Sequence, residues 1–377
     1  MIEKRVGIFI YYEWLPISPS LLSVIRLLTE RGYLVDVFHL YNDSFSAFKP
    51  ETDRVSSIAI KSRKLKIFSL IEFFLTSLKF VLKHKYDFFI GVDQEGIIVS
   101  GILSKIRNVP SVYYSLEIVT REDVKREKGI RGLFLKLRKS LESYFLKRSK
   151  AMIAQDKYRA EILMRDNNIN NGNFFFVPNS YYFVKQIECN SVDLKVPNDK
   201  KVVIYTGSVI EEMAIEDLVR GVSLWPKDAV LLLHTPYRTE YLNKIEGIVK
   251  ENKMEDKVFI SVKQLSFEDL CCLLQKAHIG ISLYRPVNES FATGPSGKLS
   301  FYLSQGLPVI VSKVASAMDL ISKYNCGLYV DTVERVGQAV KTILNDYSRF
   351  SANTRTCYEN ELEFSKHFSK VLDYMEK

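Results

Sequence analysis

Short apolar runs alternate with amphipathic segments along this chain, and that alternation restricts its fold more than any other feature. Residues 6–12 are an apolar run. Ser18-Pro-Ser20 then opens a helical segment that places Leu21, Leu22, Ile25 and Leu28 on one face; Gly32 ends it, and residues 35–40 are apolar again. Strand, helix and strand within about 30 residues form the βαβ unit of a parallel sheet. Further strands are expected at 57–60, 87–92, 111–114, 151–154 and 174–177. The pattern pauses over 185–200, which is polar and contains Val196-Pro-Asn-Asp. It restarts with strands at 202–205, 229–234, 258–261, 279–283 and 309–312. The expectation is α/β, with two Rossmann-like doubly wound domains at 1–185 and 201–358. A linker at 186–200 and a closing segment at 359–377, helical from about 360, complete the plan.

With 377 residues, 47% of them hydrophobic and 26% charged, the chain has material for two ordinary globular cores. Its five cysteines are odd in number and lack metal-ligand spacing, so they read as reduced thiols of a cytosolic protein. The N-terminal apolar run reads as a strand entering the fold, not as a signal peptide. The net charge of +9 is uneven: residues 1–200 carry +10 and residues 201–377 carry −1. Such asymmetry directs an anionic partner to the first half.

Two segments concentrate that charge. Residues 61–85 place Lys61, Arg63, Lys64 and Lys66 ahead of a dense apolar stretch that Lys83 and Lys85 close. Glu72 and Lys79 interrupt it, and it is too short to span a bilayer comfortably. A helix buried between sheet and neighbours, or one resting in a membrane interface, would both fit. Residues 125–150 hold ten basic residues against two acidic ones, with Ile130, Leu133, Phe134, Leu137 and Leu141 at helical spacing. A basic amphipathic helix at an anionic membrane surface and a solvated face over a core stripe remain open there. Leu and Phe interleave the basic residues, unlike the Arg and aromatic groove of a nucleic-acid binder, so nucleic acid is set aside.

Polar chemistry gathers where strands are expected to end. Asp93 and Glu117 each follow a strand, at the sheet edge where α/β proteins bind ligands, and either could serve as a general base. Near the end of the second half, Gly294, Ser296, Gly297 and Lys298 precede a short helix that Gly306 terminates. Free backbone N–H groups, the helix dipole and the lysine suit a phosphate there.

Several stretches together resemble the GT-B glycosyltransferases, in particular the large retaining, family 4-like class that builds bacterial surface polysaccharides. They are the turn Thr206-Gly-Ser208, the segment Pro295-Ser-x-Lys-Leu-x-x-Tyr-x-x-x-Gly-Leu-Pro-Val-Ile310, and Ile281-Ser-Leu-Tyr-Arg-Pro286. Tyr113-Tyr-Ser-Leu-Glu117, Ala154-Gln-Asp156 followed by Arg159, Val177-Pro-Asn-Ser180 and Phe364-Ser365 occur in matching order. The resemblance implies two domains facing across a cleft, with the last helix crossing back to the first. It implies a nucleotide-sugar donor, a UDP- or GDP-sugar, as co-substrate and no other cofactor. Val262, Lys263 and Gln264 would contact the base. Gly207, Ser208 and the 294–298 loop would hold the diphosphate, with Lys298 or Arg285 as its cation.

The resemblance further implies a glycan or lipid-linked acceptor on the first domain, while the cysteines and the two basic segments place the enzyme in the cytoplasm, either free or peripheral at the inner face of the plasma membrane. Transfer would be retaining and metal-independent, and the chain contains no Asp-x-Asp pair. Family members carry two glutamates eight positions apart. Here Thr293 stands at the first position, with Glu289 nearby in the same loop, and Phe301 stands at the second, where the family glutamate binds the donor ribose. Met213 replaces a basic residue after the Thr-Gly turn, and Glu117 replaces a histidine. Phosphorylase or nucleotide-sugar epimerase chemistry on the same fold is the enzyme alternative; against the epimerase stands the absence of paired catalytic acids and histidines, with only five histidines in the chain. A non-catalytic GT-B scaffold subunit is the alternative from another class.

Overall fold

The computed structural model describes residues 3–170, 172–182, 189, 196–285 and 297–377. The chain divides into two compact units, residues 1–182 with 364–377, and residues 183–363.

The first unit is built on a parallel sheet. Its strands are β1 (Arg5–Ile10), β2 (Leu34–Tyr41), β3 (Val55–Lys61), β4 (Phe88–Val92), β5 (Ser111–Tyr114), β6 (Ala151–Ala154) and β7 (Phe174–Phe176), in the order β3-β2-β1-β4-β5-β6-β7. The helices between them are α1 (Pro19–Glu30), α2 (Lys66–Val81), α3 (Asp93–Arg107), α4 (Arg121–Arg126), α5 (Gly129–Leu146) and α6 (Lys157–Asn167). Both faces of the strands are apolar because both are covered. On one side Ile8, Ile10, Val35, Val37 and Ile90 pack against Leu21, Val24 and Leu28 of α1. On the other side Phe9, Phe38 and Phe89 meet Phe73 of α2 and Val99 and Leu103 of α3.

Helix α3 approaches β4 so closely that neither Gly91 nor Gly96 has room for a side chain. A Cβ on Gly96 would lie 2.4 Å from the Phe9 carbonyl oxygen, and one on Gly91 would lie 2.6 Å from the Gly96 oxygen. That contact seats the first residue of α3, Asp93, directly at the carboxyl end of β4.

The second unit repeats the plan with β8 (Lys201–Thr206), β9 (Ala229–Thr235), β10 (Val258–Val262), β11 (Ile279–Ser282), β12 (Val309–Ser312) and β13 (Gly327–Val330). All are parallel, in the order β10-β9-β8-β11-β12-β13. Its helices are α7 (Ile215–Gly221), α8 (Glu240–Glu251), α9 (Phe267–Gln275), α10 (Gly297–Ser304), α11 (Ala315–Tyr324), α12 (Val336–Asn345) and α13 (Tyr347–Cys357). The strand β13 and helices α11 to α13 extend the fold beyond the elements expected from the sequence. The strand order reverses between β8 and β11, and such a switch point opens a crevice at the carboxyl ends of the strands.

The last helix, α14 (Phe364–Met375), belongs to the first unit, where Phe364, Phe368, Val371 and Leu372 are buried in the core beside α1. This is the GT-B architecture of two Rossmann-like domains.

Two expectations change. Cys189 and Cys272, 83 residues apart, form a disulfide with their Cα atoms 5.2 Å apart. Cysteine usage therefore gives no argument for a reducing compartment, and sequence spacing had no means of showing that the fold joins these two. The segment 61–85 does form a helix, but α2 is not buried between sheet and neighbours: Ile67, Phe68, Ile71 and Leu75 are exposed. Among the described residues no helix is long and apolar enough to cross a membrane.

Candidate functional site

In the second unit the crevice at the switch point begins with Thr206 and Gly207. Gly207 has φ +126°, a conformation that side-chain-bearing residues rarely adopt, so the chain can turn sharply out of β8. Its N–H donates to the His234 carbonyl (3.0 Å), which ties the turn to the end of β9. Tyr302 fixes the same turn from α10. Its phenolic oxygen accepts the Thr206 N–H at 2.8 Å and shares a hydrogen bond with Thr206 Oγ1 at 3.1 Å. The Tyr205 hydroxyl donates to the Ser208 carbonyl (2.6 Å), and Ser208 Oγ pairs with the Tyr237 hydroxyl (2.6 Å).

Lys298 reaches this turn from the first turn of α10. A Cβ built on Gly207 would lie 3.7 Å from Lys298 Cδ and 3.8 Å from its Nζ. The ammonium stands 5.1 Å from the Tyr284 ring centre and 5.4 Å from that of Tyr205, within cation–π range. It also lies 3.8 Å from Met213 Sδ. The lysine is thus brought against the position where the resemblance places a basic residue and this chain has methionine. Arg285 is drawn away from that role. Its guanidinium pairs with Asp217 (2.6 Å) and Glu211 (3.4 Å), and the hydrogen bond it donates to Asp217 raises its pKa further.

Lys263 and Gln264 follow β10 at the same sheet edge and are exposed; the Lys263 N–H donates to the Thr235 carbonyl (3.0 Å). Gly297 opens α10. Glu289, Thr293, Gly294 and Ser296 lie outside the described residues. Phe301 is 4% exposed and stacks on Phe267, with ring centres 5.8 Å apart. Among the described residues no three His, Cys, Asp or Glu side chains converge as a metal site.

The corresponding edge of the first unit is organised by Asp93. This residue has φ +53° and is 2% exposed. One carboxylate oxygen accepts the N–H groups of Leu116 (2.6 Å) and Glu117 (3.0 Å), and the other accepts the Tyr12 hydroxyl. Burial, assisted by the nearby Glu117 charge, lifts its pKa to about 7 against the opposing effect of those hydrogen bonds. Arg159 of α6 and Gln155, directly after β6, both donate to the Leu116 carbonyl, Gln155 at 3.3 Å. Three elements therefore clamp the 115–117 loop.

Glu117 itself is solvent-accessible, yet crowded enough that desolvation raises its pKa, with Arg159 opposing. The two acids thus occupy different situations: Asp93 holds the loop, and Glu117 is presented by it.

The aromatic support was the part that the sequence reading missed. Lys298 and Tyr302 are four residues apart on one helix, so they share a face, and that spacing was available as a signal. Tyr12 and Asp93 are 81 residues apart, and no local pattern links them.

Residues 276–372 match the model of the glucosyltransferase 3-like, C-terminal domain. No curated protein matches the chain in sequence. Among solved structures the chain is similar to sucrose-phosphate synthase from Thermosynechococcus elongatus, with 17% identity, a TM-score of 0.76, and coverage of 99% of this chain and 98% of that one. It is similar to HepE from Anabaena in complex with UDP, with 13% identity, a TM-score of 0.73 and 99% of both chains covered. It is also similar to WaaG, a glycosyltransferase involved in lipopolysaccharide biosynthesis, with 13% identity, a TM-score of 0.70, and 98% of this chain and 99% of that one covered.

Proposed function

We propose that this GT-B chain is a glycosyltransferase that moves a sugar from a nucleotide-sugar donor to a glycan or lipid-linked acceptor. The observation that carries the reading is Lys298 at the Gly207 turn, at the switch point of the second sheet. Breaking the bond from the sugar's anomeric carbon to the diphosphate leaves negative charge on the diphosphate. A lysine ammonium held in place before the reaction stabilises that charge without reorganisation. Backbone N–H groups at the start of α10 add partial positive charge in the same direction. Lys263 and Gln264, exposed at the neighbouring strand end, are assigned to the base.

In the first unit Glu117 is the general base for the acceptor hydroxyl, and its raised pKa improves it in that role near neutral pH. Asp93 acts through it as a positioning residue. The reading extends to retaining, metal-independent transfer in surface-polysaccharide synthesis, carried out in the cytoplasm, where nucleotide sugars are made.

Calorimetric titration with UDP-, GDP- and CMP-sugars tests the donor site. One donor is expected to bind the chain, and Lys298→Ala is expected to weaken it. One observation favours a second reading. Phe301, where the resemblance places a ribose-binding glutamate, is packed into the core against Phe267. A non-catalytic scaffold would keep this fold without donor affinity, so failure of every nucleotide sugar to bind decides for it.

A further inference from the structure

Helices α2 and α5 turn their apolar residues outward. In α2 the buried positions recur every fourth residue and are Ser69, Phe73, Ser77 and Val81. Two of these four are serines, and Ser77 Oγ has no hydrogen-bond partner. Meanwhile Ile67, Phe68, Ile71 and Leu75, with Leu82 just beyond the helix, are 48–56% exposed.

Helix α5 does the same. It buries Lys139 and Glu142 as an ion pair (3.1 Å), and Glu142 also accepts hydrogen bonds from Gln94 (2.9 Å) and Tyr113 (3.2 Å). Its exposed stripe is Ile130, Leu133, Phe134 and Leu137, each more than half exposed, at the i, i+3, i+4, i+7 spacing of one helical face. A helix that gives part of its inward face to serines or to an ion pair, beside apolar contacts such as Phe73 in α2 and Phe145 in α5, while showing water a continuous apolar stripe has a further hydrophobic partner for that stripe.

Both helices lie on the same side of the first sheet. Phe73 of α2 packs with Val99 and Leu103 of α3, and Phe145 and Leu146 of α5 pack with Ile97 and Ile98 of α3. Between them the end of α3 exposes Lys105 and Ile106. The charges framing the stripes have one sign. Lys64, Lys66, Lys79 and Lys83 are exposed along α2, and Lys128, Arg131, Lys136 and Lys147 along α5. The acids in these segments are neutralised locally: Glu72 pairs with Arg63 (2.7 Å), Glu127 with Arg131 (3.4 Å), and Glu142 is buried.

We propose that this face of the first unit, α2 and α5 together, docks on an anionic lipid bilayer with the outward apolar side chains entering the headgroup region. Charge complementarity selects that occupant. A second copy would set the same basic rim against itself, with no exposed acid in either segment to answer it. An anionic bilayer supplies both the apolar phase and the opposite charge. Helices α2 and α5 belong to the first unit and the donor-site residues to the second, so vesicle binding and nucleotide-sugar binding are measured on different residues and fail independently.

The test is co-sedimentation of the full chain with vesicles of phosphatidylglycerol and phosphatidylcholine, and with phosphatidylcholine alone. Binding to the anionic vesicles is expected, weakened about tenfold or more when salt rises from 0.1 M to 0.5 M, because the Coulomb attraction is screened. Ile71→Ser with Leu75→Ser, and separately Phe134→Ser with Leu137→Ser, are each expected to lower the partition coefficient at least about tenfold. All four positions are exposed, so the melting temperature of each pair is expected to stay within a few degrees of the parent. A Phe134→Trp variant adds an independent readout, in which blue-shifted emission and quenching by brominated lipid report insertion. Absence of binding to anionic vesicles overturns the proposal, as does equal, salt-independent binding to neutral ones. A concentration-dependent dimer that the serine pairs dissolve, with vesicles ignored, assigns the face to a second copy and overturns it as well.

Discussion

At the carboxyl ends of its strands the first sheet gathers acids, and the second gathers a cation and phenols. In the first unit Asp93 is sealed beneath Tyr12 and spends its carboxylate on the backbone of the loop that carries Glu117. In the second unit the corresponding turn is held by uncharged groups, Tyr302 on Thr206 and Tyr205 on Ser208, and Lys298 lies against it. The same βαβ architecture thus presents opposite electrostatics at equivalent edges. In the proposed reaction the first edge would supply the base for the acceptor hydroxyl and the second the cation for the leaving diphosphate.

The comparison breaks most visibly at Lys298. Removing one preorganised charge from a leaving group costs about 10²–10³ in kcat. Lys298→Ala is therefore expected to lower turnover by that factor, with no comparable loss of stability. A fall of less than about fivefold in steady-state assays would move the diphosphate away from the Gly207 turn. Glu117→Gln comes next, with an expected loss of about 10²-fold. Because the Glu117 pKa is raised, the parent's acidic limb in the pH–rate profile is expected above the ordinary glutamate value, and the variant is expected to lose that limb. A limb that persists in Glu117→Gln assigns the base to another group.

Asp93 sharpens the comparison through stability instead of rate. Its pKa of about 7 in the fold lies above the value of about 4 for an unfolded aspartate. The folded chain therefore holds this proton more tightly than the unfolded one. No cost arises below about pH 4; between pH 4 and 7 stability falls as pH rises, and above pH 7 the cost is constant, on the order of 4 kcal/mol. Asp93→Asn keeps an oxygen for the Leu116 and Glu117 amides and an amide facing Tyr12, but does not titrate. Denaturant unfolding at pH 5 and pH 8 is expected to show the parent losing stability relative to this variant. Identical slopes would contradict the burial of the charge.

How far the sequence anticipates these sites depends on the range of the contacts involved. Strand-end position alone picks out Asp93 and Glu117, and the glycine-rich approach to a helix picks out Lys298, because both signals are local. What Asp93 does depends on Tyr12, and what Lys298 meets depends on Met213, 85 residues away. Such pairings are set by sheet order and leave no spacing in the chain. Both domains are legible from their apolar runs, yet β13 escaped because Gly327–Val330 is short and half exposed. Composition misleads in α2. An almost wholly apolar segment reads as buried, but α2 seats itself through Ser69, Phe73, Ser77 and Val81, with Leu70, Phe74, Leu78 and Phe80 half-buried beside them, and leaves Ile67, Phe68, Ile71 and Leu75 exposed.

The smallest expected effect concerns which cation serves the second site. Arg285 and Lys298 are both close to the segment from Glu211 to Met213, and the sequence alone gives them equal standing. The structure separates them by what they touch. Arg285 is engaged by Asp217 and Glu211 and hydrogen-bonds through its N–H to the Glu212 carbonyl at 2.8 Å, whereas Lys298 lies against the Gly207 turn. A guanidinium already matched to two carboxylates adds little net charge for a diphosphate, and partly exposed ion pairs of this kind contribute about 0–1 kcal/mol to stability. Arg285→Ala is accordingly expected to change donor affinity by less than about threefold and stability by less than about 1 kcal/mol, measured by calorimetry and denaturant unfolding. If it costs as much donor affinity as Lys298→Ala, the arginine releases its carboxylates when the donor arrives. The contrast between the two edges would then rest on a rearrangement, not on a preformed cation.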